Sequence, residues 1–177
     1  MKDFLMKDGN KVLIREAVPA DAQNIIDFYN VVGGETDFLS FGGNEFTRNA
    51  GEYETYIENV AAEENSIMLL ATIGDAIISI ATINSSQKAR TKHDGMLEIV
   101  ISQTHTGMGL GERMMTELIE WAKHNRITRR ISLVTREDNH RAIALYKKLG
   151  FEVEGLIRND TYFNGVYYST VVMGLLF

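Results

Sequence analysis

Three glycines at alternate positions, Gly107, Gly109 and Gly111, stand between a short β-like run, residues 96–101, and a segment where Leu110, Met114, Leu118, Trp121 and Ala122 recur at helical spacing. A glycine-led turn that opens a helix can aim consecutive backbone N–H groups at one anion, helped by the partial positive charge of the helix N-terminus. Two phosphate motifs fail on spacing: G-x-G-x-x-G meets Glu112 at its third glycine, and G-x-x-x-x-G-K-[ST] fails at Glu112-Arg113. A backbone cradle over Thr106, Gly107, Met108, Gly109, Leu110, Gly111 and Glu112, with Arg113 beside it, still suits a pyrophosphate. The same glycines would also serve a tight turn and close packing.

A second group is Asn139 with Tyr146. They are seven residues apart, two helical turns, and share one face with Ala142 and Ile143. That face can line a groove. Taken alone, the helix has a plainer account in which Asn139 caps it and Tyr146 is a core residue.

Composition excludes several classes. With no cysteine and no paired ligand spacing among His93, His105, His124 and His140, no metal site is expected. A net charge of −6 and a pI near 5.2 fit nucleic-acid binding poorly. No apolar run approaches the ~20 residues of a membrane span, and Met1-Lys2-Asp3 does not begin a signal peptide, so a cytoplasmic protein off the membrane is expected. Charge is uneven along the chain: residues 1–87 carry five Lys and Arg against fourteen Asp and Glu, residues 113–148 nine against four. One end repels anions and the other attracts them, although most such charges are simply solvated surface.

The elements that must position these groups are legible in outline. Residues 12–17 read as a first strand, and Pro19 with Asp21 starts a helix that Gly33-Gly34 is predicted to end. Residues 35–44 read as an irregular loop, and Thr47 as the cap of a second helix through Ala62. Runs 66–73 and 76–83 around Gly74-Asp75 make a hairpin. A polar loop, strand 96–101, the glycine-led helix, strand 130–134 and helix 139–149 ended by Gly150 come next, then strands 151–157 and 166–176 flanking Asn164-Gly165. The order β-α-α-β-β-β-α-β-α-β-β predicts an α/β (α+β) chain with a mixed sheet flanked by helices, in one domain over residues 1–177.

Two stretches carry a resemblance. Residues 106–111 resemble the [RQ]-x-x-G-x-G/A pyrophosphate motif of the GNAT superfamily of acetyl-CoA-dependent N-acetyltransferases, with Thr106 where Arg or Gln is usual. EDNHRAIALYKKLGFEVEG, residues 137–155, is similar to that family's N-x-x-A-x-x-L-Y-x-x-x-G-F motif at every fixed position. The resemblance implies a mostly antiparallel sheet, acetyl-CoA as co-substrate, and direct acetyl transfer to a primary amine in a ternary complex. It further implies that Asn139 hydrogen-bonds the pantetheine arm, that a strand amide near Ile101 steadies the carbonyl oxygen, and that Tyr146 protonates the departing thiolate. Ile99, Ile101, Ala142 and Lys148 join the glycine loop as cofactor contacts. Glu98 is the candidate base; an acid on so apolar a strand is costly unless paired or solvated.

In relatives the 35–46 loop borders the acceptor, so Glu35, Asp37 and Phe38 are candidates for holding a cationic amine by charge and cation–π attraction. The tail resembles a bacterial branch that includes polyamine and ribosomal-protein N-terminal acetyltransferases, but Gly165-Val166-Tyr167-Tyr168-Ser169 lacks the Asp of its G-x-Y-x-D. A small amine or a peptide N-terminus would be the acceptor, and the apolar strand 166–176 makes a homodimer plausible. A CoA-binding sensor or interaction module with weak catalysis is the competing reading.

Overall fold

The computed structural model describes residues 2–177. One eight-stranded sheet runs through it in the order β1-β2-β3-β4-β5-β6-β8-β7, antiparallel at every junction except β5–β6. The strands are β1 (Lys2–Leu5), β2 (Lys11–Glu16), β3 (Ile67–Ile73), β4 (Ala76–Ser85), β5 (Asp94–Ile101), β6 (Arg130–Arg136), β7 (Glu152–Phe163) and β8 (Val166–Leu176). The helices are α1 (Ala22–Glu35), α2 (Ala50–Ala62), α3 (Leu110–His124) and α4 (His140–Lys148).

Alternation along the strands sends side chains to two faces, and each face has its own core. Leu97, Ile131, Leu133 and Met173 pack with Leu110, Met114, Leu118 and Tyr146 under α3 and α4. Met68, Leu70 and Ile80 pack with Ile25, Phe28, Tyr53 and Ile57 under α1 and α2.

Three expectations are corrected. Lys2–Leu5 is an additional strand, paired antiparallel with β2; its four residues alternate too weakly to be read as one. Helix α1 runs through Gly33-Gly34 to Glu35. A Cβ on Gly33 would lie 2.5 Å from the Gly42 carbonyl oxygen, so the glycine lets the following loop pack onto the helix. The cap of α2 is Asn49, whose Oδ1 accepts from Gly51 N at 2.8 Å, and not Thr47. The turns match expectation: Gly74 has φ 58°, and Asn164 and Gly165 have φ 48° and 83°, the left-handed pair that a two-residue hairpin demands.

Entry into α1 is fixed by buried Asp21. It accepts two hydrogen bonds from Arg15, both at 2.7 Å, and one from Val18 N at 2.9 Å. The Arg15 guanidinium holds its carboxyl below the ordinary 3.8. The stabilisation is therefore complete above that value and is lost as pH falls through the lower folded one. Urea unfolding of Asp21→Asn at pH 7 should show a loss of about 1.5–3 kcal/mol, and the gap from the parent should close in strong acid.

Candidate active site

Strands β5 and β6 pair over three residues only, Asp94 with Arg130, Gly95 with Ile131 and Met96 with Ser132. Asp94 fastens them there, accepting from Arg130 at 2.5 Å and from Ser132 Oγ at 3.1 Å. Beyond this clasp the strands part. Ser102 N donates to Ile78 O at 3.0 Å, so the even residues of β5 bond to β4, and the peptide groups of Ile99 and Ile101 face the opening. A polar group there needs water or a ligand as its partner.

The glycine loop lies beyond the open end of β5. Gly107 and Gly109 have φ of 82° and 87°, a conformation that ordinary side chains resist. Gly111 is needed for a different reason: a Cβ there would lie 3.1 Å from Ile101 Cδ1 and 3.4 Å from Leu145 Cδ2, so its absence lets α3 seat against β5 and α4. The N–H groups of Gly107, Met108 and Gly109 find no protein acceptor among the described residues, and those of Leu110, Gly111 and Glu112 are orphans of the first helical turn. Consecutive free donors at a helix N-terminus fit a pyrophosphate. Thr106 Oγ1 instead donates back to Gln103 O at 2.9 Å. Two cationic candidates are already matched: Arg113 meets Glu117 at 2.7 Å, and Lys148 meets Glu112 at 2.7 Å.

On the other wall of the opening, Asn139 caps α4, its Oδ1 accepting from Ala142 N at 3.3 Å while Nδ2 donates to Thr135 Oγ1 at 3.3 Å. Tyr146 is buried on the same helix, with Phe151 at 6.1 Å between ring centroids, and its hydroxyl has no protein partner among the described residues. Burial pushes its phenol up to about 12, which keeps the proton on oxygen through any physiological pH.

Glu98 projects from the face opposite the α3–α4 core. It is exposed and forms no ion pair among the described residues. Tyr29 of α1 and Tyr53 and Tyr56 of α2 gather near it: their phenols are raised chiefly by burial, and the charge of Glu98 adds to the rise in all three. Tyr56 donates to Asn84 Oδ1 at 2.9 Å. Phe41 and Phe46 pack on Tyr29 at 5.8 and 4.6 Å, extending the aromatic wall into the α1–α2 loop. None of these residues stands in a motif; the helical spacing of the tyrosines is also what core positions show.

The three loop candidates have structural partners. Glu35 accepts from Gln103 N at 2.8 Å, tying the end of α1 to the turn after β5. Asp37 accepts from Arg136 through its carbonyl at 2.9 Å and its carboxylate at 3.4 Å, and the Phe38 ring centroid lies 4.7 Å from that guanidinium. Arg136, at the end of β6, is buried, makes two hydrogen bonds to Asp138 at 2.7 and 2.8 Å, and sits 4.0 Å from the Tyr168 ring of β8. One guanidinium thus joins the loop between α1 and α2, the turn before α4 and the β7–β8 hairpin. Arg136→Met should cost about 1–2 kcal/mol, by loss of the guanidinium's hydrogen bonds to Asp138 and the Asp37 carbonyl while the carboxylates left behind stay solvated, and should speed amide hydrogen exchange across residues 36–46 more than in α3. Chemical denaturation and exchange mass spectrometry together check both.

Comparison with known proteins agrees with this geometry. The profile described as acetyltransferase (GNAT) family matches residues 36–151. The L-amino acid N-acetyltransferase AaaT of Escherichia coli is 30% identical over 119 residues, 64% of this chain and 74% of that protein. Spermidine N(1)-acetyltransferase of the same species is 30% identical over 76 residues, 43% of this chain and 41% of its own length. A crystal structure of a GNAT-family acetyltransferase from Streptococcus pneumoniae superposes with a TM-score of 0.91 at 37% identity, covering 94% of this chain and 99% of that one. At 20% identity and a TM-score of 0.78, a phosphinothricin acetyltransferase from Sinorhizobium meliloti in complex with acetyl-CoA shares the fold over 93% of this chain and 88% of its own. With its split sheet, its glycine-led α3 and these relatives, the chain belongs to the acetyltransferase (GNAT) family and is an N-acetyltransferase.

Proposed function

We propose that residues 1–177 form one domain that acetylates a primary amine by direct attack within a ternary complex, with Tyr146 as general acid and Glu98 as general base. The observation that carries this reading is the opening between β5 and β6, with a free phenol on one side and a free carboxylate on the other. Acetyl-CoA supplies the acyl group as a thioester. The loop 106–112 would hold its pyrophosphate, and Ile99, Ile101, Asn139 and Ala142 its pantetheine arm, with Arg113 and Lys148 at the margin.

Each protein group then has one task. Glu98, directly or through water, takes the proton that the ammonium must lose before nitrogen can attack. The N–H of Ile101 donates to the carbonyl oxygen as charge builds on it. The Tyr146 hydroxyl donates to the departing sulfur and surrenders its proton there. Glu98 and the rings of Tyr29, Tyr53 and Tyr56 would receive a cationic amine, while Glu35, Asp37 and Phe38 shape the border of that site through the loop they hold. An amino acid, a polyamine or a peptide N-terminus meets this description, in keeping with the names of the relatives. A cytoplasmic setting, and a homodimer through the exposed apolar side chains Leu156, Ile157, Tyr162, Val166 and Tyr167 of the β7–β8 hairpin, belong to the same proposal.

The test is turnover against a panel of free amino acids, spermidine and short peptides, read as release of free thiol. With the acceptor found, Tyr146→Phe should lower kcat about 100-fold and leave acetyl-CoA affinity by calorimetry within about threefold; equal turnover would end the assigned role. Because the phenol stays protonated up to about 12, the parent should retain activity between pH 8 and 10, with no alkaline loss assignable to Tyr146. Glu98→Gln should lower kcat/KM about 100-fold with acetyl-CoA affinity unchanged, since the amide cannot accept the ammonium proton; an unchanged kcat/KM would move the base elsewhere.

A further inference from the structure

The first position of the pyrophosphate motif carries no charge in this chain. Thr106 turns its hydroxyl and its N–H back onto Gln103 O, at 2.9 and 3.2 Å, so neither donor is free for a ligand. Of the nearby cations, Arg113 is engaged with Glu117 and lies over the Phe4 ring at 5.8 Å, and Lys148 is engaged with Glu112.

Arg141 is different. It stands in the first turn of α4, two residues after Asn139, and its Nη2 lies 3.0 Å from the point a Cβ would occupy on Gly107. It forms no ion pair or hydrogen bond among the described residues. A guanidinium thus lies beside the loop whose own N–H groups find no protein acceptor among the described residues, and the one carboxylate in the first turn of α3, Glu112, is answered by Lys148. Two positive features brought together without an anion between them form a site for one. Gly107 serves the arrangement twice, by adopting φ 82° and by leaving the space into which the guanidinium reaches.

We infer that Arg141 supplies, from α4, the charge that residue 106 does not, and binds the pyrophosphate of acetyl-CoA against the Gly107–Gly111 backbone. The assignment rests on acetyl-CoA being the co-substrate. Binding would then bridge α3 and α4, closing the phosphate end of the opening between β5 and β6.

The experiment is calorimetric titration of the full chain with acetyl-CoA and with acetyl-dephospho-CoA, which lacks only the 3′-phosphate. Acetyl-pantetheine, which lacks every phosphate, binds more weakly and is followed by NMR titration. Arg141→Met should weaken acetyl-CoA and acetyl-dephospho-CoA alike, by at least about tenfold, and leave acetyl-pantetheine within about twofold. Arg141→Lys should recover part of the loss, because a point charge cannot form the paired hydrogen bonds of a guanidinium. Adding Thr106→Arg to Arg141→Met should restore affinity by returning a guanidinium to the loop from the other side. Arg141 is exposed, so an unchanged melting temperature for Arg141→Met is expected.

Unchanged acetyl-CoA affinity in Arg141→Met would overturn the assignment alone. An equal loss for acetyl-pantetheine would make Arg141 a structural residue, and a loss confined to acetyl-CoA would assign it to the 3′-phosphate; either overturns the pyrophosphate role. Failure of the parent protein to bind acetyl-CoA would overturn the co-substrate reading, and the inference with it.

Discussion

The early parting of β5 and β6 is the constraint on which the rest of the site depends. A parallel pair buried in a sheet ordinarily continues its ladder, because unpaired peptide groups are costly away from water. Here the ladder stops after three residue pairs, at a clasp made by Asp94, Arg130 and Ser132, and β6 continues only with β8 on its other side. The Ile99 and Ile101 peptide groups are left facing a gap. Helices α3 and α4 begin at its margin, so a glycine loop and an Asn-capped helix, separated by β6 in the chain, come to flank one opening.

That opening divides the protein electrostatically as well as spatially. On the α3–α4 side are free N–H donors, the helix N-termini and Arg141; on the α1–α2 side are Glu98 and a wall of tyrosine and phenylalanine rings. The uneven charge of the sequence does not set this division, since Glu98 lies outside the acidic stretch 1–87. Glu35 and Asp37 are taken up by Gln103 N and Arg136 and hold the loop after α1, while Glu98 forms no ion pair among the described residues. Arg136 is the matching economy on the basic side. It spends its hydrogen bonds on Asp37 and Asp138 and its faces on aromatic rings, and so links the loop after α1 to the turn where α4 starts.

Local chemistry was legible where a few consecutive residues decide it. Gly74-Asp75 and Asn164-Gly165 state their hairpins through backbone conformations that few other residues adopt, and the spacing of Asn139, Ala142 and Tyr146 states a shared helical face. Elements whose reason lies in a distant partner have no local signature. Gly33-Gly34 looks like a helix stop, yet the helix continues because those glycines receive the backbone of the 42–43 segment. Lys2–Leu5 has no pattern of its own and is a strand only because β2 offers it an edge.

The sequence by itself determined the element order from β2 onward, the glycine-led start of α3, the motif around Asn139 and Tyr146, and through these the family. Each depends on contacts among neighbours in the chain, or on spacings that helix and strand periods convert directly into faces. Only the tertiary structure decided which charges are spent and which are free. Among the described residues Glu98 and Arg141 lack partners, whereas Glu35, Asp37, Arg113 and Lys148 have them, because a polar contact of this kind depends on distances between segments that no local period sets. The gathering of Tyr29, Tyr53 and Tyr56 near Glu98 has the same origin: α1 and α2 reach β5 only through the packing of the whole sheet face between them.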